Sequence, residues 1–189
     1  MPRLVVLAVL VAAAGVAVLL VRDERPLGGQ AAVHGPRVFR TSPGAVERVV
    51  VTVGDRAVDA RRQDGAWTVA GRRAGAQTRD ALDDLTRELC ALRAVDRFRP
   101  RDGATFGLAV PGATVTVDDG RRETRLLLGH PNAARSALYA RRDASSRVLV
   151  IGIGLLTSLE RVLYFERVER GGAASGSAPA PAARSAPPA

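Results

Sequence analysis

Four kinds of residue in this chain are of types that could do chemistry. The first is "VLVIGIGLL", residues 148–156, where a β-branched run meets Gly152-x-Gly154. A dinucleotide turn begins this way, with glycines that let the backbone approach a pyrophosphate at a helix start. The fingerprint needs a third glycine where Thr157 stands, a second parallel strand, and an acidic residue about twenty positions further on. Only 35 residues follow Gly154, and the run itself reads as half of an antiparallel hairpin. Gly152 and Gly154 therefore read as a strand end that releases the chain into a helix. The second kind is histidine. His34 and His130 are the only two, neither has a second histidine at i+3 or i+4, and no zinc ligand set results. No serine stands in a G-x-S-x-G elbow. The third kind is the adjacent carboxylates Asp83–Asp84 and Asp118–Asp119, which read as solvated pairs on a helix and at a turn. The fourth is Cys90, a single thiol that excludes an intrachain disulfide and reads as structural. No catalytic, cofactor-binding or metal-binding residue is assigned; the chain reads as a non-enzyme without a cofactor.

These groups sit in a chain of 189 residues with 28 basic and 19 acidic side chains, a net charge of +9. Every basic residue is arginine. The doublets Arg61–Arg62, Arg72–Arg73, Arg121–Arg122 and Arg141–Arg142 lie near turns. If they shared a face, that face would suit anionic lipid or an envelope polyanion. They lack neighbouring aromatics on which bases could stack, so nucleic acid is not expected as a partner.

The elements that position these residues follow from periodicity. Leu4–Val21 runs without a charge and as a helix would span ~27 Å, just adequate for a bilayer core. No small-x-small cleavage site follows promptly, so residues 1–21 read as a retained transmembrane anchor and 22–37 as a tether. Long domains translocate largely regardless of charge, which places the rest outside the cytoplasm, on a single-pass protein of the cytoplasmic (inner) membrane. Residues 171–189, rich in Pro, Ala, Gly and Ser, read as a disordered tail.

Residues 38–170 then form the folded domain. Val46–Val53 reads as a strand, and Asp64-Gly65 marks a hairpin turn before the strand carrying Trp67, the only tryptophan. Thr78 is a plausible cap for a helix whose Leu82, Leu85, Leu89 and Leu92 make one core-facing stripe. Asp119-Gly120 turns a second hairpin, and "SALYARRDASSRVLVIG", residues 136–152, reads as a third. A short helix over Leu155–Val162 and "YFERV" close the domain. Three hairpins and two helices predict an α+β fold, an antiparallel sheet with helices on one face.

The order of motifs resembles the domain-of-unknown-function family numbered 4340. The matching residues are Asp64, Gly65 and Trp67; Phe106, Gly107, Leu108 and Pro111; Gly129; and Tyr139 with Arg141. The resemblance covers roughly residues 38–165. It implies a bacterial envelope protein with one N-terminal anchor, similar to accessory subunits of gliding-motility-type ABC transporters, and supplies no catalytic residues. The chain holds a single copy where longer members hold repeats. Its expected role is a non-catalytic accessory module binding a protein partner, with anionic lipid or polymer as the alternative and hydrolase chemistry a distant third.

Overall fold

Val49 and Val51 of β1 (Arg48–Val53) are fully buried while their strand neighbours are not, the period-two signature of a strand with one face in the core. β1 pairs on both sides, with β2 (Arg56–Gln63) and with β6 (Ala113–Asp118), so it forms the middle of a larger sheet. The computed structural model describes residues 35–101, 104–143 and 145–175. The remaining strands are β3 (Ala66–Val69), β4 (Arg72–Arg73), β5 (Asp96–Phe98), β7 (Glu123–Pro131), β8 (Ala137–Arg142) and β9 (Val148–Gly152). The nine strands form one sheet in the order β4-β3-β2-β1-β6-β7-β8-β9-β5, with every pairing antiparallel.

The expected α+β architecture is present: one antiparallel sheet and two helices, α1 (Ala76–Ala91) and α2 (Gly154–Ser175). The helices pack on each other, and α2 lies on β1 and β2. Between the helices and the sheet sits the main core. Leu82, Leu85 and Leu89 of α1 and Leu155, Leu159 and Val162 of α2 meet Trp67, Val58, Val115, Leu126 and Ile151 from the sheet. Each fully buried leucine stabilises the fold by about 1.5–3 kcal/mol, so the α1 stripe is committed to the interior. Leu92, at the end of the stripe, is half-buried against the same core.

The Asp64-Gly65 turn has the two-residue geometry expected of it, with φ of 49° and 78° and Gln63 paired to Ala66. Three expectations are corrected. Thr78 is not the cap of α1. The helix starts at Ala76 after Gly75, and the Thr78 hydroxyl is buried without a hydrogen-bond partner. The acceptor at that helix start comes from elsewhere: Glu169 of α2 takes hydrogen bonds from the backbone N–H groups of Gln77 (3.0 Å) and Thr78 (3.3 Å). Gly75 leaves the room, because a Cβ there would stand 2.3 Å from the Glu169 carboxylate. Second, the C-terminal helix is not short. It runs 22 residues, past Val162 and through Gly171 to Ser175, so helix occupies the first residues of the expected tail. Third, strands β4 and β5 were not expected; both are edge strands, of two and three residues.

Among the described residues no helix is long and apolar enough to cross a membrane. Leu4–Val21, His34 and the Pro-rich part of the tail lie outside the described residues.

Candidate functional site

Side chains alternate across a strand, and this alternation decides what the arginine doublets can do. Arg62 faces the helix layer, where its guanidinium lies 4.6 Å from the Trp67 ring and pairs with Asp83 at 2.8 Å. Arg61 faces the other way, 3.8 Å from Asp59. Arg72–Arg73 form β4 at one edge of the sheet, and Arg141–Arg142 end β8 toward the other. The backbone N–H groups of Arg121 and Arg122 donate to the Asp119 carboxylate, whose pKa they lower. The doublets do not build one face.

Other arginines converge instead. Residues 35–41 cross the end of α1: the Val38 N–H donates to the Leu92 carbonyl, and the Ala94 N–H donates to the Pro36 carbonyl. Gly35 lies so close to the Ala94 carbonyl that a Cβ could not fit, and Arg93 donates to the Gly35 carbonyl at 2.8 Å. Beside this crossing, the β5 edge and the β8–β9 turn enclose a groove of about 320 Å³. Arg37, Arg40, Arg97, Arg142 and Arg147 line it, with Ser145 and Ser146, and no carboxylate does. Among the described residues none of these five guanidiniums is ion-paired. Segments 35–40, 93–101 and 141–147 together hold nine arginines against Asp96 and Asp143. They carry a surplus of seven out of the chain's net +9.

The chemistry of such a groove is defined by its side chains. Guanidinium presents five N–H donors in a planar fork and stays protonated at any physiological pH. It holds carboxylate or phosphate oxygens strongly and exchanges no proton with them. Doublets are the conspicuous arginine pattern in the sequence, but four of the five groove arginines are singletons. The signal that would have found them is the run "RAVDRFRPR", residues 93–101, with four arginines to one carboxylate.

The motif residues assemble on the opposite face of the sheet. Phe106, at the end of a 3-10 turn (Ala104–Phe106), stacks edge-on against Tyr139 at 4.7 Å and Phe98 at 5.3 Å. With Leu108, Leu127 and Val148 they make a second, smaller apolar cluster. Gly107 has φ of 69°, and a Cβ there would strike the His130 ring. Gly129 faces the Phe106 carbonyl at a distance that excludes any side chain. Pro111 is half-buried in the segment returning to β6, and Arg141 keeps its Nε buried without a partner on the same side as Tyr139. Asp64 and Gly65 remain apart from these, at the β2–β3 turn. The motif thus fixes the 104–112 segment across the sheet and the β2–β3 turn, and it does not line the groove.

The remaining candidates are dispersed. Asp83 and Asp84 do not act as a pair: Asp83 accepts from Trp67 Nε1 and Arg62, while Asp84 accepts from Arg161 and Arg87. The Arg161 hydrogen bond is the main cause of the lowered Asp84 pKa. This corrects the expectation that both carboxylates are merely solvated. Asp118 and Asp119 shape the β6–β7 turn through backbone hydrogen bonds. Burial pushes the Cys90 thiol pKa up, which suppresses the reactive thiolate. Gly152 ends β9 and Gly154 begins α2, with open space about both. Among the described residues no cluster of His, Cys, Asp and Glu could hold a metal ion.

Residues 67–163, just over half of the chain, match the family model described as a domain of unknown function, DUF4340. The match covers the motif cluster, both helices' shared core and one side of the groove. No curated protein and no solved structure gives a significant match.

Proposed function

The chain belongs to the DUF4340 family, and we propose that it is a non-catalytic accessory module, tethered to a membrane by Leu4–Val21, that works by binding. The observation that carries this is the groove of five unpaired arginines at the place where residues 35–41 enter the fold. Its donors can hold an anionic partner and have no proton to give up in a reaction. The protein side of the role, an accessory subunit holding a partner in an ABC-transporter-type complex, draws its support from the family resemblance. The extracytoplasmic side of an inner membrane is supported by the uncharged N-terminal run and its position ahead of a long domain.

The test is alkaline extraction of membranes, combined with protease treatment of intact spheroplasts. The full-length chain stays in the membrane pellet and its folded domain is digested from outside. A mature product found free in solution without Leu4–Val21, or a domain protected from external protease, overturns the proposal.

A further inference from the structure

Several arginines that join one element to another are matched by a carboxylate. Arg48 is held by Asp59 at 2.8 Å, Arg62 by Asp83 at 2.8 Å, and Arg161 by Asp84. The groove arginines are left without such partners, although a concave set of like charges repels itself and gains nothing for folding. Their distribution is also uneven, since a surplus of seven of the net +9 lies in the three segments that meet there, and five of those arginines line the groove without a carboxylate among them. An uncompensated concentration of this kind is the electrostatic footprint of an anionic surface.

The position of the groove says which surface. Its wall is residues 36–40, the start of the described domain. Only thirteen residues, 22–34, separate that wall from the end of Leu4–Val21. Even fully extended, a connection of that length reaches about 45 Å. If Leu4–Val21 lies in a bilayer, a connection of that length keeps the groove within reach of the lipid headgroups. Beside the groove, between Arg93 and Arg97, Val95 is 58 % exposed while its backbone N–H is fixed to the Val150 carbonyl. An exposed aliphatic side chain flanked by arginines suits the boundary between headgroups and acyl chains.

We infer that the arginine groove docks on the phosphate groups of anionic lipid in the same bilayer that holds the chain's N-terminus. This rests on the membrane-tethered reading above. Each guanidinium fork can take two phosphate oxygens. Docking would turn the cationic edge toward the lipid and leave the helix layer and the 104–112 face for a protein partner.

The experiment places the full chain in nanodiscs of phosphatidylcholine, and in a roughly three-to-one mixture of phosphatidylcholine and phosphatidylglycerol. Amide hydrogen exchange is then followed in segments 35–40 and 142–147. The inference expects protection of both segments in the anionic discs only, lost at high salt and lowered roughly tenfold by Arg97→Glu with Arg147→Glu. Both side chains are exposed, and unchanged exchange in α1 and β1 shows that the variant is folded. A milder pair, Arg97→Gln with Arg147→Gln, should give an intermediate loss. Equal exchange in the two kinds of disc overturns the inference. So does protection by added poly-glutamate in neutral discs with no effect of phosphatidylglycerol, which would reassign the groove to an acidic protein segment. Failure of the chain to enter neutral discs at all would instead overturn the tethered reading itself.

Discussion

Asp83 shows how one side chain can decide more than its type suggests. It accepts the Trp67 indole N–H and the Arg62 guanidinium, both at 2.8 Å, and so ties α1 to the β2–β3 hairpin. Asp83→Ala leaves a buried indole donor without its acceptor and should cost about 1–3 kcal/mol, measured by chemical denaturation. A change of a few tenths would show that water replaces the carboxylate. Gly129 is a second such position, since a Cβ there would lie 2.1 Å from the Phe106 carbonyl. Gly129→Ala should cost about 1–3 kcal/mol by forcing the 104–108 segment off the sheet, with the Phe106–Tyr139 stacking lost in the near-ultraviolet. The sequence showed that both residues exist in suggestive places but not what they meet. Asp83 reads as a surface carboxylate because its partners are 16 and 21 residues away.

At the scale of elements, periodic signals were legible and borrowed ones were not. The α1 stripe and the three hairpins follow from alternation, leucine spacing and D-G turns, all contained within each segment. The β4 edge strand follows a turn at Ala70-Gly71, where Ala70 takes φ of 50°, a conformation alanine rarely adopts and turn rules do not select. β5 is three residues long, and only its pairing with β9 makes it a strand. The length of α2 escaped because Gly171 and Gly172 look like breakers. Its final turns are supported by the Arg170–Glu166 ion pair one turn apart and, from outside the local pattern, by the hydrogen bonds Glu169 accepts at the start of α1. Glu169→Ala removes that acceptor and should destabilise the domain by about 1 kcal/mol, with hydrogen exchange accelerated first at Gln77 and Thr78. Unaltered exchange at those two amides would show that solvent caps the helix equally well.

For the whole molecule, net charge is legible in the sequence and its placement is not. Doublets are conspicuous in a row of letters, yet strand alternation sends their members to opposite faces. The groove is assembled by residues 37, 97 and 147, which only the fold brings together. What results is a sheet with two apolar clusters, one under the helices and one under the 104–112 segment, and a cationic groove at the β5 end. The account stands on that end binding anions through charge. Its most direct test is flotation of full-length protein, held in neutral nanodiscs, with separate phosphatidylglycerol vesicles over a salt series. Co-flotation at low salt that disappears as salt screens the charges, and that Arg97→Glu with Arg147→Glu abolishes, is the predicted result. Co-flotation that survives high salt, or that the folded variant retains, would contradict it.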